Sequence, residues 1–134
     1  MTIRIEDVRG MTAETAAALR AQGITNSEEL LAACSTPEQR RQLAATIGIA
    51  PAQLLEYANR ADLARIKGVG SVYGDILEDI GVDTVVELSR RNPENLQAAF
   101  AEAAAARGVR NIPSVQAVSE WIAQAKALER RLSY

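Results

Sequence analysis

The stretch Ile66-Lys67-Gly68-Val69-Gly70 has residue types and spacing that could do chemistry. It reads apolar, any residue, glycine, apolar, glycine, and apolar residues at helical spacing follow at Val72, Ile76, Leu77 and Ile80. A glycine turn that feeds a helix aims successive backbone N–H groups at one point. The helix start adds partial positive charge, and together they form a concavity for a phosphate. Gly68 and Gly70 allow the positive φ and close backbone approach that a larger residue resists. Lys67 and Arg65 stand beside them as sources of charge, and Arg60 shares a face with Lys67 if its helix continues. Such contacts go to the nucleic-acid backbone, so they give affinity and register without sequence preference.

Other chemistries find less support. The chain has one cysteine and no histidine, which excludes an intramolecular disulfide, Cys/His metal sites and any triad with a histidine base. Cys34 follows two alanines at an expected helix end and lacks a basic cluster to activate it, so it reads as a small buried filler. Asp and Glu are spread over helix starts and polar faces, where capping and solubility explain them. Tyr57 and Tyr73 fall on apolar faces and read as core. Nothing pairs a nucleophile with a base, and Gly68-x-Gly70 alone is too short for a dinucleotide fingerprint. No catalytic residue, metal ligand or cofactor is expected, and the chain reads as no enzyme. Lys plus Arg is 15 and Asp plus Glu is 17, a net charge of −2 that excludes binding driven by overall basicity but leaves room for a local basic patch. No apolar run approaches the ~18 residues of a membrane span, and the first residues lack a signal-peptide core, so a cytoplasmic protein without a membrane partner is expected.

The elements that must position the turn are helices. Apolar residues make up 48% of the 134 residues, much of them alanine, and 4% are aromatic, which suits thin, closely packed helices. Two halves can be laid over each other. Val8-Arg9-Gly10-Met11-Thr12 matches Ile66-Lys67-Gly68-Val69-Gly70 at one offset (66 − 8 = 58), and Leu19, Gly23, Ile24 and Leu30 fall on Leu77, Gly81, Val82 and Leu88 at the same offset. Gly23 and Gly81 stop the helices that begin after each turn. Asn26 with Glu29 and Thr84 with Glu87 start the next ones. Thr36-Pro37-Glu38-Gln39 and Asn92-Pro93 open the third in each half, and Pro51 and Pro113-Ser114 the fourth. No segment alternates long enough to read as a strand. The last helix is expected from about Ser114 to about Leu132. Val118, Trp121, Ala125, Leu128 and Leu132 then form a stripe at three- and four-residue steps, which either packs on the chain's own core or offers a seam to a second copy or another protein.

The residues from Ala61 to Pro93, with Ile112-Pro113-Ser114-Val115 and Trp121-Ile122-Ala123-Gln124-Ala125-Lys126, resemble the bacterial family catalogued as domain of unknown function 4332, over nearly the whole chain from Ile5 to Leu128. The resemblance implies an all-α tandem helix-hairpin-helix fold, whose wider superfamily often binds duplex DNA without reading sequence. The expectation is therefore a single domain over residues 1–134, with one repeat at about 5–60, a second at about 61–132, and a long C-terminal helix. Three departures weigh against phosphate binding. The position two residues after the second glycine, basic in DNA-binding hairpins, is Val72 here and Glu14 in the first copy. The first copy has Thr12 in place of its second glycine. Acidic residues flank both turns, Glu6 and Asp7 at the first and Asp75, Glu78 and Asp79 at the second. The expected function is a non-catalytic binding module. Its partner is a protein or a second copy, through Val118, Trp121, Ala125, Leu128 and Leu132. The alternative is weak contact with the DNA or RNA backbone through Arg65, Lys67, Gly68, Val69 and Gly70.

Overall fold

Among the described residues the chain forms eight α-helices, six of them started by a side-chain cap. In the computed structural model, which describes residues 2–134, a 3-10 turn at Ile5–Asp7 precedes α1 (Ala13–Ala21), α2 (Ser27–Ala33), α3 (Pro37–Ile47) and α4 (Pro51–Leu63). Then come α5 (Ser71–Asp79), α6 (Val85–Ser89), α7 (Pro93–Ala106) and α8 (Val115–Ala127). The fold is all-α; among the described residues the sole β-type pairing is an isolated antiparallel bridge between Arg4 and Asn26. No helix among them is long and apolar enough to cross a membrane.

The helix starts follow the polar residues that mark them in the sequence. Thr12, Asn26, Thr36, Thr84, Asn92 and Ser114 each accept a backbone N–H from three residues on. Each relieves one of the unpaired donors that a helix start leaves. Thr36 and Gln39 close a reciprocal capping box. Glu29 and Glu87 reach one residue further back than such a box requires. Their carboxylates accept the amides of Thr25 and Asp83, tying the preceding loop rather than the cap residue itself.

Several backbone bonds recur at the offset of 58. Val8 donates to the Ile5 carbonyl as Ile66 does to Leu63, Met11 to Val8 as Val69 to Ile66, and Ile24 to Leu19 as Val82 to Leu77. Apolar burial divides in the same way. Ile5, Leu19, Leu30, Leu31, Leu54 and Tyr57 anchor one core, and Leu63, Ile76, Leu77, Leu88, Phe100 and Trp121 anchor the other. In the first, α2 and α3 pack on α4; in the second, α6 and α7 pack on α8. Tyr73, Phe100 and Trp121 meet at tilted or edge-on angles with ring centroids 5.2–5.8 Å apart, the geometry aromatic quadrupoles favour.

One expectation is corrected. The last helix ends at Ala127, not near Leu132, and at 13 residues it is no longer than α4. Leu128 takes an extended backbone (φ −80°, ψ 141°) and starts an arm that crosses to the other half. There Leu132 is buried in the first core, and the Ser133 amide donates to the Ser35 carbonyl (2.9 Å). Arg40 donates to the Ser133 carbonyl (2.6 Å), and Arg131 pairs with Glu28. The arm's anchoring in the first core outweighs continuation of α8, which no glycine or proline at its end opposes.

Candidate functional site

The glycine turn between α4 and α5 needs glycine at one of its two positions: Gly70 has an ordinary extended backbone (φ −93°) with open space where a Cβ would sit. Gly68 has φ +96°, in the left-handed region where a side chain is strained. Trp121 of α8 packs against one side of it, although Gly68 stays exposed: a Cβ there would lie 2.9 Å from the indole Nε1. One turn further along α8, Gln124 clamps the next peptide. Its Oε1 accepts the Lys67 amide (2.8 Å) and its Nε2 donates to the Lys67 carbonyl (3.1 Å). Val69 is fully buried, and its amide bonds to the Ile66 carbonyl. Of the Gly68, Val69 and Gly70 amides that a phosphate would use, that of Val69 already has an internal acceptor, and the Lys67 amide beside them is taken by Gln124. The first half repeats the packing. Gly10 (φ +83°) lies under Tyr57, whose hydroxyl donates to the Gly10 carbonyl (3.1 Å). Tyr57 and Trp121 are each the seventh residue of their helices, α4 and α8.

The cations near the turns are mostly engaged. Arg65 is nearly buried, donating to Asp62 Oδ1 (2.9 Å) and to the Glu129 carbonyl (2.8 Å). Asp62 also accepts the Val85 amide at the start of α6 (3.2 Å), so this pair is a structural clasp. Arg9, the counterpart of Lys67 in the first turn, reaches across to α5, where it pairs with Asp79 (3.0 Å) and donates to the Asp75 carbonyl (3.1 Å). Lys67 is exposed and makes no ion pair among the described residues. Helix α5 begins at Gly70 with no side-chain cap, and Val72 on its first turn is 53% exposed.

Arg60 departs furthest from its expected place. Helix α4 stops at Leu63, and Arg60 shares no exposed face with Lys67. Its side chain is 1% exposed, wedged between α4 and α5. It faces Asp75 (3.2 Å) and Glu78 (3.6 Å) and donates to the Ser71 carbonyl (2.9 Å). Burial lowers its pKa and raises that of Glu78, so desolvation outweighs attraction on both sides of this pair. Gly74 makes the room, since a Cβ there would fall 2.1 Å from Arg60 Nη1. The acids Asp75, Glu78 and Asp79, which from sequence look like obstacles to a phosphate, face Arg60, Arg9 and Arg107. Arg107 and Arg9 hold the Asp79 carboxyl below its usual range. Sequence reasoning missed this network. Its one signal was glycine inside a helix, at Gly74.

The apolar stripe is inward. Val118, Trp121 and Ala125 lie in the second core, Leu128 packs partly against it, and Leu132 belongs to the first core. No continuous exposed seam runs along α8. Cys34 is fully buried at the end of α2, and burial pushes its thiol up to about 11.

Compared with known proteins, residues 9–128 match a family model described as a domain of unknown function (DUF4332). No curated protein and no solved structure matches the chain.

Proposed function

The chain belongs to the DUF4332 family, and from that premise we propose that it is a non-catalytic tandem helix-hairpin-helix module that holds a protein partner. The recurrence of turn and loop hydrogen bonds at the offset of 58 supports the tandem reading. So does the matched packing of Tyr57 on Gly10 and of Trp121 on Gly68. One observation carries the choice of partner: Gly68, Arg65 and Arg9 serve internal packing. Trp121 and Gln124 occupy the inner side of the second turn, and Arg65 and Arg9 are paired. Helix-hairpin-helix turns that grip phosphate need these groups facing outward.

A second reading, weak sequence-independent binding of a DNA or RNA backbone, has its own support in Lys67, exposed and unpaired beside the uncapped start of α5. One cation makes few phosphate contacts, so such binding would be weak and would fall steeply with salt. Fluorescence anisotropy of labelled duplex and single-stranded DNA, titrated at low and physiological salt, separates the two readings. The protein-binding reading expects no saturable signal at either salt. Saturable binding at low salt that disappears in Lys67→Glu would overturn it in favour of the second.

A further inference from the structure

We propose that the corner formed by the glycine turn, the first turn of α5, the 108–114 loop and the start of α8 is the docking surface. Its partner is an acidic, amphipathic segment of another protein. This rests on the protein-binding reading and adds where the partner sits and what chemistry it has.

Four internal contacts build the corner. Trp121 seats α8 on Gly68, and Gln124 clamps Lys67. The Tyr73 hydroxyl donates to the Asn111 carbonyl (2.6 Å), and Gln97 donates to the Pro113 carbonyl (3.1 Å). Together they bring α5, α7, α8 and the connecting loop to one place. Among the described residues the exposed large apolar side chains are Val72, Ile112, Val115 and Tyr134. The first three belong to the segments that these contacts join, Val72 to the first turn of α5, Ile112 to the loop and Val115 to the start of α8, as its first residue. Single exposed apolar residues are ordinary, but three on adjoining segments suit a binding patch.

Charge specifies the occupant. Residues 63–74 and 108–119 contain Arg65, Lys67 and Arg110 and no acid, in a chain whose net charge is −2. Lys67 and Arg110 are exposed and make no ion pair among the described residues. The flanking acids along the chain are Asp62, which pairs with Arg65, Asp75, which faces Arg60, and Glu120. A patch with an apolar centre and an uncompensated basic rim selects a segment with apolar anchors and acidic flanks. Val72 stands where a phosphate-binding turn would place a cation. Apolar contact at that position fits a side-chain partner better than a sugar-phosphate backbone.

The test is amide-resolved NMR of the isotope-labelled full chain. It is titrated with a synthetic helix-forming peptide carrying Leu and Phe on one face and Asp and Glu on the other. Its counterpart with Lys in place of each acid, and a short DNA duplex, serve as comparisons. The expected result is that the acidic peptide shifts residues 67–73 and 110–116 and the Lys peptide does not. Val72→Glu and Lys67→Glu should each weaken binding by about tenfold or more; both side chains are exposed, so the variants should keep the parent's melting temperature. Arg110→Glu gives an independent check from the other chain segment. Shifts confined to another face would overturn this surface while leaving the protein-binding reading in place. DNA shifting these residues where the acidic peptide does not would overturn both. A concentration-dependent dimer of the free protein, abolished by Val72→Glu, would also overturn the proposal by making a second copy the occupant.

Discussion

Arg60 and Gly74 are one unit at the residue scale, since the guanidinium occupies the volume a Gly74 side chain would need. Removing Arg60 leaves Asp75 and Glu78 facing each other across a void, so Arg60→Ala should cost about 3 kcal/mol in urea unfolding. Gly74→Ala should cost about 2 kcal/mol in the parent, because overpacking against a buried side chain outweighs the gain in helix propensity. In the Arg60→Ala background the clash is gone, and the same substitution should stabilise by about 1 kcal/mol. The change of sign in that double-mutant cycle is the expected outcome; additive costs would show that the two do not share space. Glu78 gives a pH signature from the same site. Its folded pKa is raised by burial above the reference 4.5, so the folded state binds its proton more tightly than the unfolded state does. Its favourable contribution is full below pH 4.5 and is lost as pH rises through the folded pKa. Glu78→Gln removes that dependence. Urea titrations across the acid range should find the variant gaining on the parent as pH rises from below 4.5 to neutral.

At the scale of elements, the two glycine turns differ in what packs on them, and that difference is measurable. Gly68→Ala must carry left-handed strain and a contact of 2.9 Å with Trp121, whereas Gly10→Ala carries similar strain and an ordinary 3.7 Å contact with Tyr57. The first should lower stability by about 2–4 kcal/mol and the second by about 1–2 kcal/mol, read from thermal unfolding with far-UV dichroism. Helix starts were legible in the sequence because the signal is local. Asn26, Thr36, Thr84, Asn92 and Ser114 lie within three residues of the amides they cap. The turn and the left-handed Gly68 were legible for the same reason, whereas Gly70 takes an extended backbone that asks for no glycine. The end of α8 was not, because Leu128 and Leu132 continue the spacing of Val118, Trp121 and Ala125 as though one helix carried them all. Periodicity records that a side chain is buried, not which core receives it. The internal use of the turn was equally hidden: Gln124 lies 57 positions from Lys67, and Arg9 lies 70 from Asp79. No pattern in one sequence links residues so far apart.

The molecule has two apolar cores joined by Arg60 and Arg9 between α4, the first turn and α5, and by the arm after α8. Leu132 is 3% exposed in a core otherwise built from the first half. Leu132→Ala should therefore cost about 2–4 kcal/mol. The loss should appear as faster amide hydrogen exchange in α2 and α3, which are remote in sequence, more than in the adjacent α8. Loss confined to α8 would mean that the arm holds only its own helix. The arm also sets an order of events during synthesis. A chain leaving the ribosome presents α1 to α4 early, yet the first core lacks one of its side chains until residue 132 has emerged. The half made first is thus the half completed last, and while the ribosome makes the rest of the chain it carries an open apolar slot for chaperones to guard.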